Sequence, residues 1–214
     1  MEQGKYLEPL WWFFLSGIIN IMSRLDDLKQ KVDDLYKEKQ PGRADWADWL
    51  YDNHVLFVAA KARDLAAKYG ANVELAEVAA LLHDIADCKM GRENPSHEEE
   101  SLKLATQLMR ESGYSDKEIE LTVEDAIRYH SCYGDERPKS TEGLVLATAD
   151  SLAHLKTDFY VFATWELGKE STLAEIKQWT LKKIERDLNN KISFDDERED
   201  ARADHDMIKE LFSR

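Results

Sequence analysis

The sequence predicts an all-α fold on three observations. Apolar residues recur at three- and four-residue spacings, no stretch alternates with period two, and the chain-breaking residues are scarce, with nine glycines and four prolines in 214 residues. The breaks fall at Pro41-Gly42, Gly70 to Asn72, Gly91 to Pro95, Ser112-Gly113, Gly134 to Pro138 and near Gly168. Between them the pattern places helices near 10–39, 45–69, 73–88, 97–111, 116–130, 142–167, 172–190 and 203–213. This length suits one helical bundle over 41–214 with an amphipathic arm over 1–40.

The arm comes first. Phe14, Ile18, Ile21, Leu25, Leu28, Val32 and Leu35 alternate by four and three, the seam spacing of a coiled coil, and Trp11, Trp12 and Phe13 widen its apolar start. A helix with this stripe packs on its own domain, pairs with a second copy as a homodimer, or lies on a lipid surface. Asp26, Asp27, Asp33 and Asp34 disfavour the lipid. The apolar run from Leu10 to Met22 would extend about 20 Å as a helix, short of a bilayer core of roughly 30 Å, so no transmembrane segment is expected. No basic segment or small-residue cleavage site marks it as a secretory signal.

In the later helices, Gly70 and Gly113 suit left-handed helix ends, while Ser96 with Glu99 and Ser115 with Glu118 have capping-box spacing. The acidic stretch Asp195 to Asp200 reads as a solvated connector.

A formal charge of −14, from 43 acidic and 29 basic residues without a basic run, argues against long nucleic acid as a partner. A small phosphorylated substrate remains compatible if a divalent cation reverses the local field. Cys88 and Cys132 are too few for a disulfide framework and are expected to be reduced thiols in a cytoplasmic protein.

The chemistry concentrates in a few polar residues set among apolar ones. His54 begins the helix that continues through Val55, Val58, Ala62 and Leu65; His83 and Asp84 sit side by side between Leu82 and Ile85; Asp150 lies within Leu144 to Leu152. A carboxylate or imidazole in such a helix is costly to bury unless a partner compensates it, and a divalent cation is such a partner. For any one histidine, a hydrogen-bonded core residue is the plainer explanation. The adjacent pair His83-Asp84 is harder to dismiss.

The ordered set Asp52-Asn53-His54-Val55, Leu82-His83-Asp84-Ile85 and Ala149-Asp150-Ser151 resembles the HD-domain superfamily of metal-dependent phosphohydrolases, over a motif core of roughly 45–165. The resemblance implies an HD-like helical bundle in which His54, His83, Asp84 and Asp150 ligate one divalent transition metal: Mn, Fe, Co, Ni or Zn. His97 and His130 match the positions that add a second metal in some members, with Ser131 departing from the histidine that often follows the latter. Asp87 stands where many members have Lys, and is read as a carboxylate that orients His83 or accepts a proton from the attacking water, with Asp84 as the other catalytic carboxylate. Lys89, Arg92, Arg128 and His154 are the candidate substrate contacts. The implied activity is hydrolysis of a phosphate ester of a nucleotide or other small metabolite by a metal-activated water. The alternatives are a metal- or nucleotide-binding sensor module and a di-iron oxygenase of related architecture. There is no Gly-rich phosphate loop, Cys-x-x-Cys pair or Gly-x-Ser-x-Gly elbow.

Overall fold

The computed structural model describes residues 22–214; the proposed arm's apolar start, including Trp11 to Phe14, Ile18 and Ile21, lies outside the described residues. Among the described residues there is no strand, and no helix is long and apolar enough to cross a membrane.

Helix α1, Arg24–Lys37, is capped by the Ser23 hydroxyl and buries Leu28, Val32 and Tyr36. Leu25 and Leu35 pack against the same core, so this half of the apolar stripe is used within the chain. A short α2, Ala47–Leu50, runs into a π-helical turn, Tyr51–Val55, and then α3, Leu56–Tyr69, which ends on left-handed Gly70. Helix α4, Val73–Leu82, is started by the Asn72 side chain and is buried from Leu75 to Leu82, the signature of a helix enclosed on every side. Helices α3, α4 and α7, Thr141–Lys156, pack on one another, and α4 and α7 also pack on the π-helical stretch Glu120–Ile127. Gly143 allows that last approach, since a Cβ there would come within 3.1 Å of the Ala126 Cα.

The remaining helices are α5 (His97–Glu111), α6 (Asp116–Ile119), α8 (Phe159–Leu167), α9 (Leu173–Arg186) and α10 (Asp195–Ser213). A further π-helical turn, Asp187–Lys191, follows α9.

Four sequence expectations are corrected. The helix expected over 73–88 stops at Leu82, and after Asp84 (φ −124°) the chain continues as a 3₁₀ turn, Ile85–Cys88. The helix expected over 142–167 is broken at Thr157, whose extended backbone and hydroxyl, bonded to the Ala153 carbonyl at 2.6 Å, turn the chain into α8. Ser96 forms no side-chain cap, whereas the Ser115–Glu118 capping box is present. The acidic stretch from Asp195 is the first turn of α10, where carboxylates favour the positive end of the helix dipole.

Candidate metal centre

The core helices bring His54, His83 and Asp150 together although they are far apart in sequence. One ligand atom from each lies within 4.8 Å of the others, and all three residues are buried. His54 Nε2 stands 3.1 Å and His83 Nε2 3.9 Å from Asp150 Oδ1. None of these three atoms has a hydrogen-bond partner. Three buried polar atoms facing one another unpaired are the arrangement that a cation resolves.

Local structure explains how each atom is aimed. His83 Nδ1 lies 2.7 Å from the Ala80 carbonyl, so it carries the proton and leaves the Nε2 lone pair facing the cluster. His130 is set in the same way, with Nδ1 2.6 Å from the Ile127 carbonyl. Cys132, in the left-handed region at φ 49°, turns the chain away just beyond it. His83, Asp84 and His130 form a second group within 4.8 Å that shares His83 with the first. The π-helical turn over 51–55 carries His54 on its inward side, and the Tyr36 hydroxyl anchors the Asp84 carbonyl at 3.3 Å.

Electrostatics favours charged Asp84 and Asp150 and neutral His54 and His130 here. Burial opposes ionisation of Asp150, but His154, Lys191 and His54 hold its carboxyl well below the usual range. Burial likewise opposes that of Asp84, and Arg92, His83, His130 and His97 overcome it. Burial lowers His54 despite Asp150, and burial together with His83 pushes His130 down to about 4. Neutral nitrogen donors with ionised carboxylates form a mixed set suited to Mn, Fe, Co, Ni or Zn.

The other sequence candidates surround this cluster in different ways. Arg92 bonds to one oxygen of Asp84 and, through Nη2, to Asp87 Oδ2 at 2.7 Å. Asp87 is fully buried and accepts from Arg92 and, at 2.9 Å, from His97 Nε2. The expected role of Asp87 in orienting His83 is thereby corrected, because the Ala80 carbonyl does that and Asp87 holds Arg92 and His97 instead. His97 belongs to neither ligand group, its Nε2 being engaged by Asp87. Arg128 stands at the cleft rim, paired with Glu99 at 3.0 Å and Glu124 at 2.9 Å. Lys89 is half-buried and is not among the residues lining the cleft.

The cleft above the cluster has a volume of about 580 Å³. Its far wall comes from α8, α9 and the 187–191 turn, and sequence reasoning missed most of it. Lys191, only 2% exposed, forms an ion pair with Asp150 Oδ2. His154 Nε2 lies 3.3 Å from Asp150 Oδ1, and its Nδ1 lies 3.0 Å from Lys183 Nζ. Asp187 accepts from the Tyr160 hydroxyl at 2.6 Å. Burial lowers His154 to about 3 and Lys183 to about 8. One clue was present in the sequence, the Lys183–Asp187 spacing of four on a helix, but that spacing is common on solvated faces.

Comparison with known proteins identifies the fold that carries this cluster. Residues 51–155 match the family model of the HD domain. The fold is shared with three solved structures. A predicted HD superfamily hydrolase from an uncultured Thermotogales bacterium is 19% identical, with a TM-score of 0.57 over 94% of this chain and 95% of that one. YpgQ of Bacillus subtilis is 20% identical, with a TM-score of 0.61 over 89% and 90%. An HD-superfamily hydrolase from Bacillus thuringiensis is 18% identical, with a TM-score of 0.59 over 89% and 95%. No curated protein matches the sequence significantly. Residues 51–155 are thus identified as an HD domain, with His54, the His83-Asp84 pair and Asp150 in order along the matched segment.

Proposed function

We propose that the chain is a metal-dependent phosphohydrolase acting on a phosphate ester of a nucleotide or other small phosphorylated metabolite, as a phosphomonoesterase or phosphodiesterase. The observation that carries this reading is the convergence of three buried, unpartnered ligand atoms, His54 Nε2, His83 Nε2 and Asp150 Oδ1, with His83 and Asp150 lining a cleft. His54, His83, Asp84 and Asp150 would hold the cation, and His130 with His83 and Asp84 offers a place for a second. When bound, the metal supplies an activated water and charge neutralisation at phosphorus.

The chain's own residues account for the rest. Arg92, Arg128, Lys183, Arg186 and Lys191 line the cleft against Asp84, Glu93, Glu98 and Asp150, a near-balance that a bound divalent cation would tip towards a phosphoryl group in a chain of net charge −14. Arg92 holds Asp84 through Oδ2, the oxygen that lies 3.4 Å from His83 Nε2, and so fixes the carboxylate against the cluster. Trp46, Phe159 and Trp179 provide apolar surface for the non-phosphate part of the substrate and exclude water. Two of the compared structures are named as HD superfamily hydrolases, which supports the same reaction class.

The experiment is to strip the protein with a chelator, reload it with Mn, Co, Ni, Zn or Mg, and follow phosphate or aryl release from aryl phosphate mono- and diesters and a nucleotide panel. Turnover with at least one transition metal, lost on chelation, is expected. No turnover with any metal would leave a metal- or nucleotide-binding sensor module as the better account.

A further inference from the structure

His154 lies beside the metal cluster without joining it. It belongs to neither group of mutually close ligand atoms, although its Nε2 is 3.3 Å from Asp150 Oδ1 and its ring stacks on that of His54 at 5.0 Å. Its other nitrogen sets its tautomer. Nδ1 meets Lys183 Nζ at 3.0 Å, and a lysine ammonium has only donors. A proton on Nδ1 would set N–H against N–H, so Nδ1 accepts and the imidazole proton sits on Nε2, pointing into the cleft.

We propose that Lys183 is a positioning residue that fixes His154 as the Nε2–H tautomer, making it a hydrogen-bond donor to a phosphoryl oxygen of the substrate and keeping it out of the metal's coordination sphere. Lys183 is held for this role by Asp187, whose two carboxylate oxygens lie 3.4 Å from Nζ and which is itself anchored by the Tyr160 hydroxyl at 2.6 Å. Asp187 Oδ2 also lies 3.2 Å from His154 Nδ1. Removing the Lys183 ammonium therefore leaves a carboxylate as the nearest partner of Nδ1. The proton would then move to Nδ1 and expose a bare Nε2 lone pair to the metal position. Lys183, Asp187 and Tyr160 all lie beyond the matched segment 51–155, so this control is added to the domain by the chain's own C-terminal region.

The substrate role rests on the phosphohydrolase reading, but the tautomer does not. Two-bond ¹H–¹⁵N correlation on metal-free, ¹⁵N-histidine-labelled protein reads the tautomer directly, with His154 assigned by its loss in His154→Gln. Wild type and Lys183→Arg are expected to show Nε2–H, and Lys183→Met to show Nδ1–H. Loaded with Co²⁺ as a probe, Lys183→Met is expected to show a weaker visible absorption band than wild type, because an added imidazole raises the coordination number. In an active preparation, Lys183→Met should raise KM for an aryl phosphate several-fold, with recovery in Lys183→Arg. An Nδ1–H tautomer in wild type overturns the proposal, whether or not Lys183→Met folds. An unchanged tautomer in a folded Lys183→Met overturns it as well. Absence of hydrolysis with the expected tautomers would count against the phosphohydrolase reading alone.

Discussion

Lys191 and Asp150, 41 residues apart, form an ion pair inside the protein in which the ammonium takes Oδ2 of the carboxylate and leaves Oδ1 facing His54 and His83. Two charges are thus buried where a metal ligand is needed, and the lysine holds that ligand to a single donor oxygen. Breaking one side of such a pair leaves an uncompensated charge. Lys191→Met is expected to lower stability by about 3 kcal/mol without metal. Saturating Zn²⁺ should recover part of the loss, because the cation takes over the exposed charge. Chemical denaturation with and without metal measures this, and equal stability of mutant and wild type in the absence of metal would contradict it.

The ligand cluster itself makes a sharper demand. His54→Ala or Asp150→Ala removes one of three converging atoms, and metal retained after gel filtration should fall well below wild type. Activity under the best metal should drop by a factor of about 100 or more, beyond the range typical for partners of ligands. Elemental analysis and initial rates report the two effects separately. Full retention of bound metal in both variants would remove the assigned centre.

Arg92 ties Asp84 to the fully buried Asp87, and the guanidinium is the group able to bridge both carboxylates at once. Arg92→Lys should fail to restore what Arg92→Ala loses. Metal affinity is expected to weaken about 10- to 100-fold in both variants. Calorimetric titration with Mn²⁺ tests this, and wild-type affinity in Arg92→Lys would refute the bridging role.

Acid should destabilise the metal-free protein earlier than carboxylate titration alone would predict. Burial holds His130 near 4 and His154 near 3, below the ordinary value for histidine of about 6.5. Between these values the unfolded chain binds protons that the folded chain refuses, so stability rises with pH across this window and is lost as pH falls below about 6.5. The expected loss from pH 7 to pH 4.5 is a few kcal/mol for the two residues together. Urea midpoints across that range should flatten in His130→Asn and His154→Gln, and an unchanged slope in both would reject the burial argument.

The legible and hidden parts of the site differ for a physical reason. His83 and Asp84 stood out because two polar groups beside Leu82 and Ile85 are costly in a buried helix, and the same contrast marked Asp150. Lys191, Lys183 and Asp187 gave no such contrast, since they lie on or after an amphipathic helix where charged residues are ordinary. Their meaning comes from the return of that helix to α7, fastened by the Ser151 hydroxyl on the Asp187 carbonyl at 2.6 Å and by Thr148 on the Lys191 carbonyl at 3.4 Å. Asp87 was misplaced for a related reason. Helical periodicity put it on the face of His83, but α4 ends at Leu82 and the 3₁₀ turn sends it toward Arg92 and His97. The sharp bend at Thr157 was hidden because no glycine or proline stands near it to mark a break.

The π-helical turn at Tyr51–Val55 has a consequence for how this protein can change. It holds one more residue than a regular turn, so a single-residue deletion there can be absorbed as a regular α-turn while the helices on both sides keep their register. Loss of one residue from Tyr51–Val55 would leave Val58, Ala62 and Leu65 seated in the core while His54, which lies inside the turn, is displaced from its ligand position. Such a variant should retain its helical circular dichroism and lose its metal, so the capacity to bind a cation can be gained or lost by a single-residue insertion or deletion that the rest of the bundle does not register.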